Sequence, residues 1–295
     1  MTYQHIPVML DEVIEYLQPK PGKKYIDCTL GGAGYTITLA KLVGQSGQVI
    51  GIDLDEMAIS NAQKLINEQK LQNITLINDN FKNLETIISE NISSEAKFDG
   101  IVFDLGLSSA QLDDEVRGFS FKGERPLDMS FGPANQKSTE EIVNHYDLLE
   151  LTKIFQDYGE EKHAYRIAKA IVAARRVKRI KTTADIVSVI EDCIPFRYRS
   201  KIHPATRVFQ ALRMETNEEL MSLAEVLPSA IKLLKPQGRL VVVSFHSGED
   251  RIVKRFLKGE VNIKILTKRP LIPTEVETEG NPRARSAKLR AAEKR

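Results

Sequence analysis

The stretch YIDCTLGGAGYTITLA, residues 25–40, joins an apolar run ending in a carboxylate to a turn of small residues and then to a helical pattern. In parallel α/β folds a strand, a turn poor in side chains and a helix, in that order, open a nucleotide pocket, because backbone amides and the helix N-terminus can approach the ligand. Three more β-branched runs follow: QVIGIDLD (48–55), ITLIND (74–79) and FDGIVFDLG (98–106). Helical patterns at Tyr35–Val43, Met57–Gln69 and Phe81–Ile92 separate them, and this alternation predicts a doubly wound parallel sheet. The four predicted strands end in acids, Asp27, Asp53, Asp79 and Asp104, and ligands of open sheets bind beyond the carboxyl ends of the strands.

After Gly106 the alternation stops. Residues 108–204 hold the loop-like RGFSFKGERPLDMSFGPANQKST and helical patterns around Glu140–Asp157, Lys162–Val177 and Thr183–Ile194, with no convincing strand. The α/β pattern resumes with a helix over Asn217–Leu234, the stop signal KPQG, the strand RLVVVSFH and a further candidate strand, NIKILTK. The expected organisation is one discontinuous sheet domain, residues 1–108 with 205–295, interrupted by a mainly helical insertion over 109–204.

Of the 295 residues 42% are hydrophobic and 28% charged, which is ordinary globular composition with enough apolar material for a real core. The longest apolar stretch, RLVVVSF, is far short of the roughly 18 residues that span a bilayer, and MTYQHIPVML lacks the plan of a targeting segment, so a cytoplasmic protein that does not engage membranes is expected. Cys28 and Cys193 form neither a metal pattern nor a disulfide framework. Asp113–Glu115 (DDE) is read as a solvated loop because three adjacent acids do not readily face one ion, and no metal is expected. Net charge is only +2, but it is unevenly spread: 13 Lys or Arg against 5 Asp or Glu between Glu160 and Arg213, and 6 against 1 between Asn281 and Arg295.

Which nucleotide the turn holds is decided by elimination. A dinucleotide fingerprint requires G-x-G-x-x-G, but Gly32-Ala33-Gly34-Tyr35-Thr36-Ile37 places a bulky residue at the third glycine; a Walker loop is absent, since no G-K-[ST] follows a glycine-rich turn. What remains is an acid at the first strand end, a small-residue turn and a second acid about 20 residues on, able to accept both hydrogen bonds of a ribose diol. Those parts suit S-adenosylmethionine, with Asp27 toward the ammonium, Asp53 toward the ribose and Asp79 near adenine. A cationic sulfonium also tolerates an acidic rim, because at roughly 4 Å a partly screened charge pair is worth about 1–4 kcal/mol. The competing reading of these acids is that they cap the helices that follow.

Several stretches carry a more specific resemblance: HIPVML (5–10), DCTLGGAGYT (27–36), FDLGLSSAQLDDEVRGFSF (103–121), PLDMSF (126–131), YGEEKHAYRIAKAIV (158–172), KIHPATRVFQALRMETNEEL (201–220), QGRLVVVSFHSGEDRIVKRF (237–256) and NPRARSAKLRAAEK (281–294). In this order they resemble the small-subunit ribosomal RNA methyltransferases of the H type, the MraW family. The resemblance implies a Rossmann-like class I methyltransferase sheet, S-adenosylmethionine as cofactor, and methylation at N4 of a cytidine in the decoding region of 16S rRNA, with that RNA expected within the small ribosomal subunit. It also implies cofactor contacts at Ala33, Gly34, Tyr35, Asp53, Phe81, Asp104 and Gln111. Two departures stand out: Ala33-Gly34-Tyr35 replaces the family's usual Gly-Gly-His, which leaves only a backbone role secure there, and Gly248 replaces its usual Leu.

The exocyclic amine of cytosine is a weak nucleophile that must be localised by an acceptor and held in line with the methyl group; such positioning supplies up to about 7–11 kcal/mol. DNA amino-methyltransferases use an Asp/Asn-Pro-Pro-Tyr turn for this, and this chain has no Pro-Pro. Asp104 is therefore the candidate catalytic acceptor, with Asp128 and His246 behind it. For RNA, phosphate neutralisers interleaved with flat side chains are required. Candidates are Arg175, Arg176 and Arg179 in ARRVKRIK, then Phe196, Arg197, Tyr198, Arg199, Lys201 and Arg207, with the basic tail from Asn281 added. A DNA amino-methyltransferase and a non-catalytic RNA-binding assembly factor are the alternative functions. The sequence is compatible with a monomer or a homodimer.

Overall fold

The structure is a computed structural model that describes residues 7–106, 117–121, 123–132, 137–194 and 203–295. The chain divides into two compact units, Met1–Ser108 with Leu220–Arg295, and Ser109–Glu219. In chain order the first unit contributes α1 (Leu10–Leu17), β1 (Lys24–Asp27), α2 (Gly34–Val43), β2 (Gln48–Asp53), α3 (Glu56–Glu68), β3 (Ile74–Asn78), α4 (Leu84–Asn91) and β4 (Phe98–Asp104). The second unit holds α5 (Thr139–His145), α6 (Leu148–Asp157), α7 (Ala164–Val177), α8 (Thr183–Cys193) and α9 (Ala205–Thr216). The first then resumes with α10 (Glu219–Leu233), β5 (Leu234–Ser244), α11 (Ser247–Gly259), β6 (Ile263–Ile265), α12 (Glu275–Gly280) and β7 (Lys288–Lys294).

The sheet runs β3-β2-β1-β4-β5-β7-β6. Strands β1 to β5 are parallel, and β7 inserts antiparallel between β5 and β6. Successive residues alternate between two apolar layers, as the two-residue period of a strand demands. Ile26, Ile50, Ile101 and Phe103 enter one layer with Leu84 of α4, Leu227 of α10 and Val253 of α11. Tyr25, Val49, Val102 and Val243 enter the other with Val13 of α1 and Leu39 of α2. Strand order reverses between β1 and β4, the switch point where such sheets open a crevice.

Three local readings differ from expectation. The single helical pattern at Glu140–Asp157 is two helices, because Asp147 accepts the amides of Leu149 and Glu150 at 2.7 and 2.8 Å and stops one helix to start the next. KPQG does not end a helix ahead of the strand; it is a bulge inside β5, where Leu234 pairs with Phe98 and Arg239 with Gly100. Residues 205–219, grouped in the sequence with the sheet domain, cluster with the helices of the second unit. Their Asn217 donates to the Met129 carbonyl at 2.8 Å and accepts the Phe131 amide at 2.9 Å, holding the PLDMSF loop.

The basic tail is also corrected. Its AKLRAAEK segment is β7, in which Leu289, Ala291 and Ala292 are core and Arg290 is only 6% exposed. Arg290 forms a two-pronged pair with Asp250 at 2.6 and 3.2 Å, and Lys294 donates to the Leu234 carbonyl at 2.7 Å. These cations hold the sheet and are not a free RNA-binding arm. Arg290→Ala should accordingly lower unfolding stability by about 3–5 kcal/mol, since it strands a largely buried carboxylate. A shift under about 0.5 kcal/mol in the denaturant midpoint analysis would mark it as a surface residue instead.

Candidate active site

Register brings the strand-end acids of the first unit together. Asp27 pairs with Gly51 on β2 and with Val102 on β4. Asp53 and Asp104 lie two residues beyond those partners, so all three carboxylates project from the same face at the carboxyl edge of adjacent strands. Asp79 follows β3, whose Asn78 pairs with Asp53, and extends the row by one strand.

Asp27 is fully buried. One oxygen accepts the Thr36 hydroxyl at 2.8 Å and the other the Thr29 amide at 3.2 Å. Burial pushes its carboxyl up to about 6, against the pull of the bonds from Thr36 and Thr29. With no surface exposed it fixes the start of α2, which is the helix-capping alternative, and it is not open to a ligand. Asp53 keeps some exposed surface. It accepts the Gly31 amide at 2.8 Å and the Asp55 amide at 2.9 Å, one on each oxygen. Each oxygen therefore keeps one lone-pair direction for a further donor. Burial raises this carboxyl to about 6 as well, opposed by the two amides and reinforced by the charges of Asp55 and Asp27.

The Gly31–Asp53 bond ties the glycine turn to β2, as does the Leu30 amide on the Ile52 carbonyl at 2.9 Å. Ala33, the residue before α2, adopts the left-handed conformation with φ 61° and makes no side-chain cap bond. That conformation costs a non-glycine residue roughly 1 kcal/mol and explains why glycine suits the position. The backbone N–H groups of Gly34 and Tyr35 open the helix, where amides lack intrahelical partners and attract anions.

Tyr35 is only 3% exposed, and its hydroxyl donates to the Val8 carbonyl. The ring of Pro7 lies where a Cβ on Gly34 would be, 2.1 Å from Cγ, and the Met9 amide donates to Glu277 of α12 at 2.5 Å. Residues 7–9 are thus bound to the turn. At position 35, where the family usually has histidine, the tyrosine hydroxyl makes this hydrogen bond.

At the end of β4, Asp104 has its amide bonded to the Thr29 hydroxyl at 2.5 Å, while its Oδ1 is buried and has no hydrogen-bond partner among the described residues. Burial, then the charges of Asp27 and Glu249, push its carboxyl well above the usual range. Glu249, 3% exposed, was missed in the sequence. Its signal was the H-x-x-E spacing of a capping box at His246, and that box is present. Phe81 packs edge-on against Phe103 of β4 with centroids 5.7 Å apart. Asp79 accepts the Asn80 amide at 2.6 Å and the Asn83 side-chain amide at 3.0 Å. Gln111 and the DDE loop at 113–115 lie outside the described residues.

In the second unit the basic candidates separate into held and exposed groups. Arg175 donates to the Val143 carbonyl at 2.8 Å, Arg179 pairs with Glu140 at 2.7 Å and Arg207 donates to the Glu160 carbonyl at 3.3 Å. Arg175 and Arg207 are half-buried and serve the packing of the unit, whereas Arg176, Arg179 and Lys181 are exposed, Arg179 while paired with Glu140. Asp128 accepts the Ser130 hydroxyl at 2.9 Å, within the same unit. Phe196, Arg197, Tyr198, Arg199 and Lys201 lie outside the described residues.

The donor set at the sheet edge suits a ligand with one anionic end for the α2 amides, a diol for Asp53 and positive charge for the acids. No lysine or arginine is paired with Asp27, Asp104 or Glu249 among the described residues. Residues 2–295 match the MraW methylase family. The chain is 43% identical over 312 aligned positions to the ribosomal RNA small subunit methyltransferase H of Carboxydothermus hydrogenoformans, covering 100% of this chain and 99% of that one. The enzyme of the same name from Halothermothrix orenii is 43% identical over 311 positions, covering 99% and 98%. A Streptococcus mutans protein described as a methyltransferase, solved in complex with SAH, superposes with TM-score 0.50 over 98% of this chain and 99% of its own at 12% identity, a likeness of fold alone.

The raised carboxyl of Asp27 predicts a pH dependence of the free protein. Its contribution to stability is complete below the ordinary carboxylate range and is lost as pH rises through about 6. Asp27→Asn should therefore flatten the melting temperature against pH between about 4 and 6, leaving the parallel contribution of Asp53. An unchanged slope in that window would show that Asp27 ionises normally.

Proposed function

The chain belongs to the MraW methylase family, and from that premise we propose that it transfers the methyl group of S-adenosylmethionine to N4 of a cytidine in the decoding region of 16S rRNA. Full-length 43% identity to relatives named ribosomal RNA small subunit methyltransferase H carries this reading. The cofactor supplies an electrophilic methyl group on a positively charged sulfur. The residues at the sheet edge bind and orient it: the Gly34 and Tyr35 amides take the methionine carboxylate, the spare lone pairs of Asp53 take the ribose hydroxyls, and Phe81 with Asp79 flanks the adenine. Gln111 completes the set by resemblance.

Asp104 has the role of acceptor for the cytosine amine. Its buried Oδ1, without a hydrogen-bond partner among the described residues, is the kind of atom that costs about 1–3 kcal/mol until a donor reaches it, and an amine proton is such a donor. Bonding to that proton draws the nitrogen lone pair out of the ring and points it at the methyl carbon. The unit Ser109–Glu219 has the role of RNA recognition, with Arg176 and Lys181 as phosphate contacts and the 196–201 segment as stacking and phosphate partners. A cytidine leaves its stack most cheaply when unpaired, at a cost of a few kcal/mol. The enzyme acts in the cytoplasm on the small subunit or its RNA.

Labelled methyl from S-adenosylmethionine should appear as N4-methylcytidine when the protein is mixed with 30S particles or 16S RNA lacking the modification. Transfer to neither overturns the proposal, and transfer to duplex DNA in competition would favour a DNA amino-methyltransferase. Asp53→Ala should weaken cofactor binding by about 1–3 kcal/mol in calorimetry. The double change Arg176→Glu, Lys181→Glu should leave cofactor binding intact and lower the slope of log affinity for RNA against log salt by about 1 per lost phosphate contact.

A further inference from the structure

The segment from Lys162 to Ala184 carries eight Lys or Arg and no Asp or Glu. Packing accounts for some of these cations: Arg175 donates to the Val143 carbonyl, Lys178 pairs with Asp185 at 3.0 Å and Arg179 with Glu140 at 2.7 Å. Along α7 itself, Ala164, Ile167, Ala168 and Ile171 are buried, at the i, i+3, i+4, i+7 spacing of a helix laid on a core. At about 100° per residue, Tyr165, Arg166, Lys169, Ala173 and Arg176 fall within one arc of about 100° on the opposite side. All five are exposed. Arg175 falls outside that arc, on the side of the core.

This outer face is unfavourable for the helix alone. Arg166 stands in the first turn, where the helix dipole repels cations, and no acid offsets it there. The helices packed against α7, namely α5, α6 and α8, all place acids in that turn. Arg166 and Lys169 are like charges one turn apart, which repel. Tyr165 leaves 54% of its surface exposed beside them. Glu161, just ahead of the helix, accepts the His163 amide at 2.8 Å. The side chains of Arg166, Lys169 and Arg176 form no hydrogen bond or ion pair among the described residues.

A partner that brings negative charge together with a flat surface removes these costs at once. We propose that the outer face of α7 is a track for a single-stranded stretch of the substrate RNA. Arg166, Lys169 and Arg176 neutralise phosphates along about 15 Å of helix, and Tyr165 stacks on an unpaired base. The inference rests on the RNA-methylation reading above and extends its contacts from Arg176 and Lys181 to the whole helix face. A duplex would satisfy the cations but keeps its bases stacked on one another, out of reach of a tyrosine ring. An anionic membrane would need the apolar face of the helix, and that face is spent on the core of the unit. An acidic protein would meet the cations without using the ring.

The test measures the affinity of the full-length protein for a short unstructured RNA and for an RNA hairpin across a salt series. For the unstructured RNA, the double change Arg166→Gln, Lys169→Gln should reduce the slope of log affinity against log salt by about 0.7 per cation removed, and the charge-preserving exchange Arg166→Lys, Lys169→Arg should keep it. Tyr165→Ala should weaken binding of the unstructured RNA by roughly 5- to 150-fold with the slope unchanged, leave the hairpin unaffected and be rescued by Tyr165→Phe. S-adenosylmethionine should bind all of these variants as it binds the wild type, since every substitution is on the surface. An unchanged slope in the double glutamine variant overturns the inference, and so does a Tyr165→Ala effect of equal size on hairpin and unstructured RNA. If the variants bind RNA as the wild type does while the wild type methylates 16S RNA, this inference fails and the proposed reaction stands. If they lose affinity as expected and no cytidine is methylated, the reaction fails and the track stands.

Discussion

The site depends on a carboxylate that never meets solvent. Asp27, closed in by Thr29 and Thr36, is where β1 stops and α2 begins. Its bonds set the path of the turn between them. The turn in turn delivers the Gly31 amide to Asp53, which orients that carboxylate from behind. A single buried carboxyl therefore fixes two strand ends and one helix start, and the bonds from Thr29 and Thr36 offset only part of the cost of ionising it, with no cation beside it among the described residues. Pre-organisation of this kind favours ligands whose own charge completes the balance.

The parallel sheet and its switch point were legible in the sequence because strand, turn and helix recur with one spacing, and each of the first four strands announces its end with an acid. The division of labour among those acids was not legible. Asp27 and Asp53 look alike in a sequence; only the register and the two threonines show that one is closed and the other open. Glu249 escaped because its partner in the capping box is a histidine, an unusual cap.

Charge density misled for a related reason. A run such as ARRVKRIK is basic in composition whatever its cations do, and a guanidinium that reaches a backbone carbonyl, as Arg175 does at Val143, is indistinguishable on paper from one that waits for phosphate. The tail made the same point more strongly, since small and basic residues alternated in a segment too short and too charged to look like an inner strand. Its long side chains reach outward to Asp250 and Leu234 while the alanines fill the space between neighbouring strands.

The pairing of β4 with β5 carries a consequence for how the molecule assembles. Asp99 is held by Lys235, 136 positions later, and the whole helical unit lies in the intervening loop. Closing so long a loop costs entropy that grows with the logarithm of its length, and searches of this kind are slow. Because the intervening residues have their own core, their prior collapse shortens the effective tether. Loop-closure entropy thus favours a pathway in which the insertion compacts before β4 and β5 join.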